Sequence, residues 1–192
     1  MNQYRMESWY KMMISCTKIT RQDIGMLSEW LSHADARDFL VSDATMSLSQ
    51  QFKWFEHMKN DSYATHWIIH IDGKPCGMLA MIDINIQNNR CSWGYYMHDY
   101  ALNTEELAMV LEYNVYEYAF EELGFNKLTS ASFTDNQCAV DIHAKCGCVT
   151  QGILLEHYLC GDVYYDIVLQ CMTVKMWRTR KAFMDFERIE LK

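Results

Sequence analysis

The stretch ATHWIIHIDGKPCGMLAMIDINIQNNRCSWGYYMH, residues 64–98, decides the fold. Two apolar runs flank Asp72-Gly73, a pair suited to a tight hairpin turn because both positions tolerate positive φ. Along the second run Ile82, Ile84 and Ile86 alternate with Asp83 and Asn85. Strict alternation predicts one buried and one polar face. Asn88-Asn89 marks the next turn, and RCSWGYYMH (90–98) reads as a third strand. Three antiparallel strands in succession therefore occupy the middle of the chain.

Working outward, KMMISCTKIT (11–20) reads as a first strand, and a helix follows from Asp23 with Ile24, Leu27, Trp30 and Leu31 at helical spacing. A short second helix is expected over Asp35–Leu40. Ser47 fits the N-cap of another, SLSQQFKWFEHMKND (47–61), with Phe52, Phe55 and Met58 on one side. Downstream, a long helix begins near Asn103 or Thr104, with Glu105 and Glu106 well placed in its first turn. Its stripe is Leu107, Leu111, Val115, Ala119 and Leu123, and Gly124 stops it. KLTSASF (127–133) is a strand, Asn136 caps a shorter helix, and Gly147 ends that helix. Val149–His157 and Tyr164–Thr173 are the last strands, turning at Gly161-Asp162. The order β α α β β β α β α β β is a mixed α/β pattern.

Half of the 192 residues are apolar, 22% are charged and 14% are aromatic. That composition supports one packed domain over 1–192, with 174–192 as a C-terminal extension, and excludes a disordered chain. The net charge of −8 argues against a nucleic-acid partner, which requires a basic face. The apolar runs are strand-length, so no membrane partner is expected. The opening MNQYRMESWYKM lacks the apolar stretch of a signal peptide, which points to a soluble, cytoplasmic setting. The eight cysteines read mostly as small buried hydrophobes. Cys138, His143, Cys146, Cys148, His157 and Cys160 lie close in sequence, but no C-x-x-C pair exists, and no metal is expected.

Three groups of residues carry a more specific signal. One is Asn136-x-x-Ala139-x-x-Ile142-His143-x-Lys145-x-Gly147. A second is Tyr118-Ala119-Phe120 with Leu123 and Lys127-Leu128. The third is Gly152-Ile153-Leu154, His157 and the run from Gly161 to Tyr164-Tyr165-Asp166. Together with the element order, these resemble the GNAT superfamily of N-acetyltransferases, whose corresponding helix segment reads N-x-x-A-x-x-x-Y-x-K-x-G-F. SLSQQFKWFEHMKND, Gly73 to Gly77 and Asp83-Ile84 are most similar to the branch acting on nucleotide-linked 4-amino sugars. The ribosomal-protein branch is also similar. The resemblance covers roughly residues 12–178.

The resemblance implies a mixed central sheet of roughly seven strands with helices on both faces. It also implies acetyl-CoA as co-substrate and direct transfer of acetyl to a primary amine. A homodimer is a further possibility. Tyr96, Met97, His98, Asn103, Thr104, Glu105 and Asn136 would then contact the cofactor. Asn136 serves equally as an N-cap. His143 stands where the family has tyrosine and would protonate the departing thiolate; the alternative is a partly buried helix residue. Asp83 would orient the amine or take its proton, or be a solvated edge carboxylate. Trp93, Tyr95 and His70 are the acceptor-side candidates, the aromatics also reading as core.

Two features depart from the family. HDYALNTEEL (98–107) contains no glycine, lysine or arginine where the family's R/Q-x-x-G-x-G/A loop closes on pyrophosphate, and Cys148 replaces the aromatic residue after Gly147. Three readings follow: amino-sugar N-acetyltransferase, protein N-terminal acetyltransferase, or a GNAT-fold binding module without CoA.

Overall fold

The computed structural model describes residues 13–31, 48–59, 61–160 and 162–192. Its strands are β1 (Ile14–Lys18), β2 (Thr65–Ile71), β3 (Lys74–Asn85), β4 (Arg90–Met97), β5 (Lys127–Phe133), β6 (Val149–Cys160) and β7 (Val163–Thr173). Its helices are α1 (Ile24–Leu31), α2 (Leu48–Lys59), α3 (Glu105–Tyr116), α4 (Gln137–Cys146) and α5 (Val174–Arg180). The seven strands form one mixed sheet in the order β1-β2-β3-β4-β5-β7-β6. All neighbours are antiparallel except β4 and β5. The expected helix over Asp35–Leu40, the Ser47 cap, Lys11-Met12 and Gly161 lie outside the described residues.

The β2–β3 hairpin turns at Asp72 and Gly73, both at positive φ as the sequence predicts. Alternation then sends the two sides of the sheet to different partners. Trp67, Leu79, Met81 and Trp93 pack with Leu107, Leu111, Val115 and Ala119 in the main core. Ile68, Met78 and Tyr96 pack against Leu27 and Trp30 of α1. Each large side chain buried in this way contributes about 1.5–3 kcal/mol relative to exposure. Six of the eight cysteines are buried and all are free.

Two local expectations are corrected. The alternation along Ile82, Ile84 and Ile86 breaks, because β3 bulges against β4 between Ile82 and Asn85 and Asp83 adopts φ +50. Ile82 and Ile86 are consequently exposed, while Ile84 packs on the core. The long helix also changes character. Glu117–Glu122 forms a π turn, which closes with Leu123 donating to the Tyr118 carbonyl. The extra residue rotates the stripe, so Leu123 is exposed and Phe120 and Phe125 are buried instead.

Residues 174–192 pack back over the domain. Trp177 of α5 is fully buried, and its indole N–H donates to Glu117 at 3.2 Å. Asn114 of α3 holds the backbone of Glu187 and Ile189. The chain then ends beside β1, where Lys192 exchanges backbone hydrogen bonds with Cys16 and Lys18. This covers part of an edge strand that would otherwise present unpaired backbone groups.

Candidate active site

β4 and β5 pair only through Arg90–Ser92 and Lys127–Thr129. Beyond that point β4 continues to Met97 and β5 to Phe133, with no ladder between them. At the point of divergence the Ser92 and Thr129 hydroxyls share a hydrogen bond of 2.8 Å. Backbone donors and acceptors along the β5-facing side of β4 from Trp93 to Met97 thus lack a strand partner. Such a split sheet can accept an extended acyl-pantetheine chain as a surrogate strand and present backbone N–H groups to a thioester carbonyl.

β4 leads directly to the N-terminus of α3. Thr104 caps it, accepting from the Leu107 amide at 3.2 Å. The cap takes one first-turn amide, and the others keep the partial positive charge that favours a phosphate. Glu105 works against that field, but Lys145 of α4 reaches across to it at 2.7 Å. Tyr95 donates its phenol to Asn103 at 3.2 Å, which ties β4 to the turn before α3. These residues offer a pyrophosphate a capped helix end without glycines, with Glu105 paired to Lys145 of the facing helix and Glu106 beside it in the first turn.

α4 supplies the other wall. Asn136 caps it through the Ala139 amide at 3.2 Å, and that bond uses only its side-chain oxygen. One turn from the end of α4, His143 is buried, with 11% of its side chain exposed. Its ring meets Trp93 edge-on at 5.6 Å between centroids, which places it beside the split strand. Its Nδ1 lies 3.0 Å from Glu112 of α3. The same carboxylate oxygen accepts from Tyr116, whose hydroxyl is also 2.9 Å from the Cys148 thiol.

Sequence reasoning missed Glu112 and Tyr116. Burial, followed by the charge of Glu112, pushes the Tyr116 phenol well above its usual range and pushes the Cys146 and Cys148 thiols up. All three groups stay protonated at neutral pH. Ligand atoms of Glu112, His143 and Cys148 lie within 4.8 Å of one another. Tyr116 hydrogen-bonds both Glu112 and Cys148, so these side chains form one buried network.

The remaining candidates lie elsewhere. Tyr96 turns to the opposite face, where its hydroxyl reaches the Trp30 carbonyl, and His98 stacks on the Trp30 ring. Met97 is core, so contact from Tyr96 or Met97 to a cofactor would be through backbone. Trp93 is buried against Tyr116 and His143, and Tyr95 stacks on it. Asp83 sits in the β3 bulge, where its charge adds to the larger effect of burial in raising the Cys91 thiol pKa. His70 is level with Pro75, while Trp93 is level with Met81 and so with Thr65; His70 therefore stands toward the C-terminal end of β4, away from Trp93.

Comparison with known proteins settles the family. Residues 16–149 match the model of the acetyltransferase (GNAT) domain. The chain belongs to the GNAT family. An acetyltransferase PseH of Campylobacter jejuni strain 81-176 is 23% identical over 129 residues, covering 67% of this chain and 78% of that protein. The PseH of strain NCTC 11168 is 21% identical over 128 residues, with the same coverage. A Vibrio cholerae spermidine N-acetyltransferase, solved with CoA and spermine, superposes with a TM-score of 0.78. Its identity is 15%, and the match covers 88% of this chain and 99% of that one. The protein is an acyl-CoA-dependent N-acetyltransferase of GNAT type, and its seven-stranded mixed sheet is the GNAT fold. Among the described residues no helix is long and apolar enough to cross a membrane.

Proposed function

We propose that the protein transfers acetyl from acetyl-CoA to a primary amine of a nucleotide-linked amino sugar. The observation that carries the acetyl-CoA part is the parting of β4 from β5 after Ser92, with His143 beside the opening. In this reading the backbone of Tyr95–Met97 binds the pantetheine chain and polarises the carbonyl. The Thr104–Glu105 turn holds pyrophosphate, with Asn103 at its approach. Asn136 keeps its side-chain N–H₂ for the pantetheine. His143 is the proton-carrying group, and Trp93 keeps it dry on one side. Asp83 orients an acceptor entering from the β3 side.

The amino-sugar acceptor rests on the similarity of SLSQQFKWFEHMKND and Asp83-Ile84 to that branch. A cytoplasmic setting follows from it, since activated sugars and CoA are cytoplasmic pools. A thiol-release assay tests the proposal, offering acetyl-CoA with a UDP-linked 4-amino sugar, spermidine or a peptide with a free N-terminus. Turnover of the sugar nucleotide at a kcat/KM at least tenfold above the others is expected. Preference for the peptide supports the N-terminal reading, and turnover of none with no acetyl-CoA binding supports a binding module.

A further inference from the structure

The family's acid at the position of His143 is a tyrosine, which can give a proton. A histidine can also take one, and the split strand offers no other base. Ser92, beside the parting, is bonded to Thr129. The Tyr95 phenol is pushed up by burial and then by Glu112, and it already donates to Asn103. Cys91, Cys146 and Cys148 are buried thiols with raised pKa values.

Glu112 is the unusual partner. It is 1% exposed, its Oε1 takes hydrogen bonds from His143 and Tyr116 with the Cys148 thiol 3.8 Å away, and its Oε2 meets no hydrogen-bond partner among the described residues. Burying a carboxylate costs several kcal/mol unless it is well bonded, and an apolar side chain would serve packing better. A residue kept at such a cost has a job that packing does not explain. Tyr116 donates to the same oxygen, and an ionised carboxylate only accepts, so the His143 nitrogen 3.0 Å away carries the hydrogen. Around His143 stand Glu112 of α3 and Trp93 of β4, with the Cys148 thiol, just beyond α4, within 4.8 Å.

We propose that Glu112 is a positioning residue that fixes His143 as its Nδ1–H tautomer, so that the bare Nε2 serves as base and then acid within one turnover. This rests on the reading of His143 as the proton-carrying group. A neutral amine attacks the thioester carbon, and the C–N bond forms as the carbonyl electron pair moves to oxygen. His143 Nε2 takes one proton from the attacking nitrogen, with Glu112 facing the imidazolium. The C=O bond re-forms, the C–S bond breaks with its pair on sulfur, and Nε2 returns the proton to that sulfur. The products are the N-acetyl compound and free CoA thiol, with His143 restored.

Two measurements test this. The first is a double-mutant cycle in the thiol-release assay, run on the acceptor turned over best, with melting temperatures checked for each variant. Glu112→Gln keeps the volume but removes the charge, and its N–H₂ can donate to Nδ1 and reverse the tautomer. It is expected to lower kcat about tenfold or more with KM for acetyl-CoA little changed, and His143→Ala to lower kcat about 10²–10⁴-fold. The double variant should match His143→Ala, because Glu112 acts only through His143. A further tenfold loss in the double variant, or wild-type kcat in Glu112→Gln, overturns the proposal. Wild-type kcat in His143→Ala overturns the reading of His143 itself.

The second measurement needs no acceptor. Nitrogen NMR of the ¹⁵N-histidine-labelled full chain above neutral pH is expected to show His143 with hydrogen on Nδ1, and Glu112→Leu to move it to Nε2. Hydrogen on Nε2 in the wild type overturns the proposal, whatever the acceptor.

Discussion

Lys145, near the end of α4, closes on Glu105, the first residue of α3, at 2.7 Å. The contact spans the two helices that wall the parted strands, and it sets the charge where the sequence lacks the family's glycines. Both side chains are about half exposed, so the pair adds little to stability. Its effect falls on whatever anion approaches the helix end.

Breaking that pair therefore changes cofactor affinity in opposite directions according to which partner is removed. Glu105→Gln leaves Lys145 facing the helix end and should tighten acetyl-CoA binding roughly two- to five-fold at low salt. Lys145→Ala leaves the carboxylate uncompensated and should weaken binding by a similar factor. Titrations at two ionic strengths check both, since the differences should shrink with added salt. Equal affinities for the two variants would remove pyrophosphate from this helix end.

His66 gives a pH signature. Burial lowers its pKa to about 4, with Asp61 opposing the shift. The unfolded chain then binds the extra proton first as pH falls below the usual histidine value near 6.5. The contribution of His66 is complete above about 6.5 and is lost progressively down to about pH 4, a cost of about 3 kcal/mol. Denaturant titrations from pH 7 to pH 4.5 should show a shallower loss for His66→Gln than for the wild type. Parallel profiles would contradict this.

Gly147 holds a left-handed backbone conformation that any side chain would strain. It ends α4 at φ +103, and a methyl group there would lie 3.1 Å from the side chain of Arg180. Gly147→Ala should cost about 1–2 kcal/mol and lower Tm by roughly 2–8 °C. Gly152→Ala is the control, because nothing lies within 4 Å of its added methyl. Similar melting temperatures for the two variants would show that the α4 end relaxes freely.

Much of this was legible in the residues. Asp72-Gly73, the apolar runs beside it, Asn136 and Gly147 each act through local backbone preference, which sequence reveals directly. The break at Asp83 and the π turn at Glu117–Glu122 were not, because both insert a residue into a regular period without a glycine or proline to announce it. Glu112 reads as a charged residue on a helix surface. The available signal was its place among Ala108, Leu111, Val115 and Tyr116, inside a stripe too wide to leave it in solvent. His143 was legible as a candidate only through its place in the Asn136–Gly147 motif. Its partner could not be found that way, since α3 and α4 meet only in three dimensions.

The most direct test of the account is calorimetric titration of acetyl-CoA into the full chain. The parted strands and the capped α3 end predict one site per chain with a dissociation constant in the micromolar range. They also predict markedly weaker binding of acetyl-pantetheine, which lacks the pyrophosphate. Absence of binding at millimolar acetyl-CoA would contradict the account and leave a GNAT domain that does not use the opening between β4 and β5.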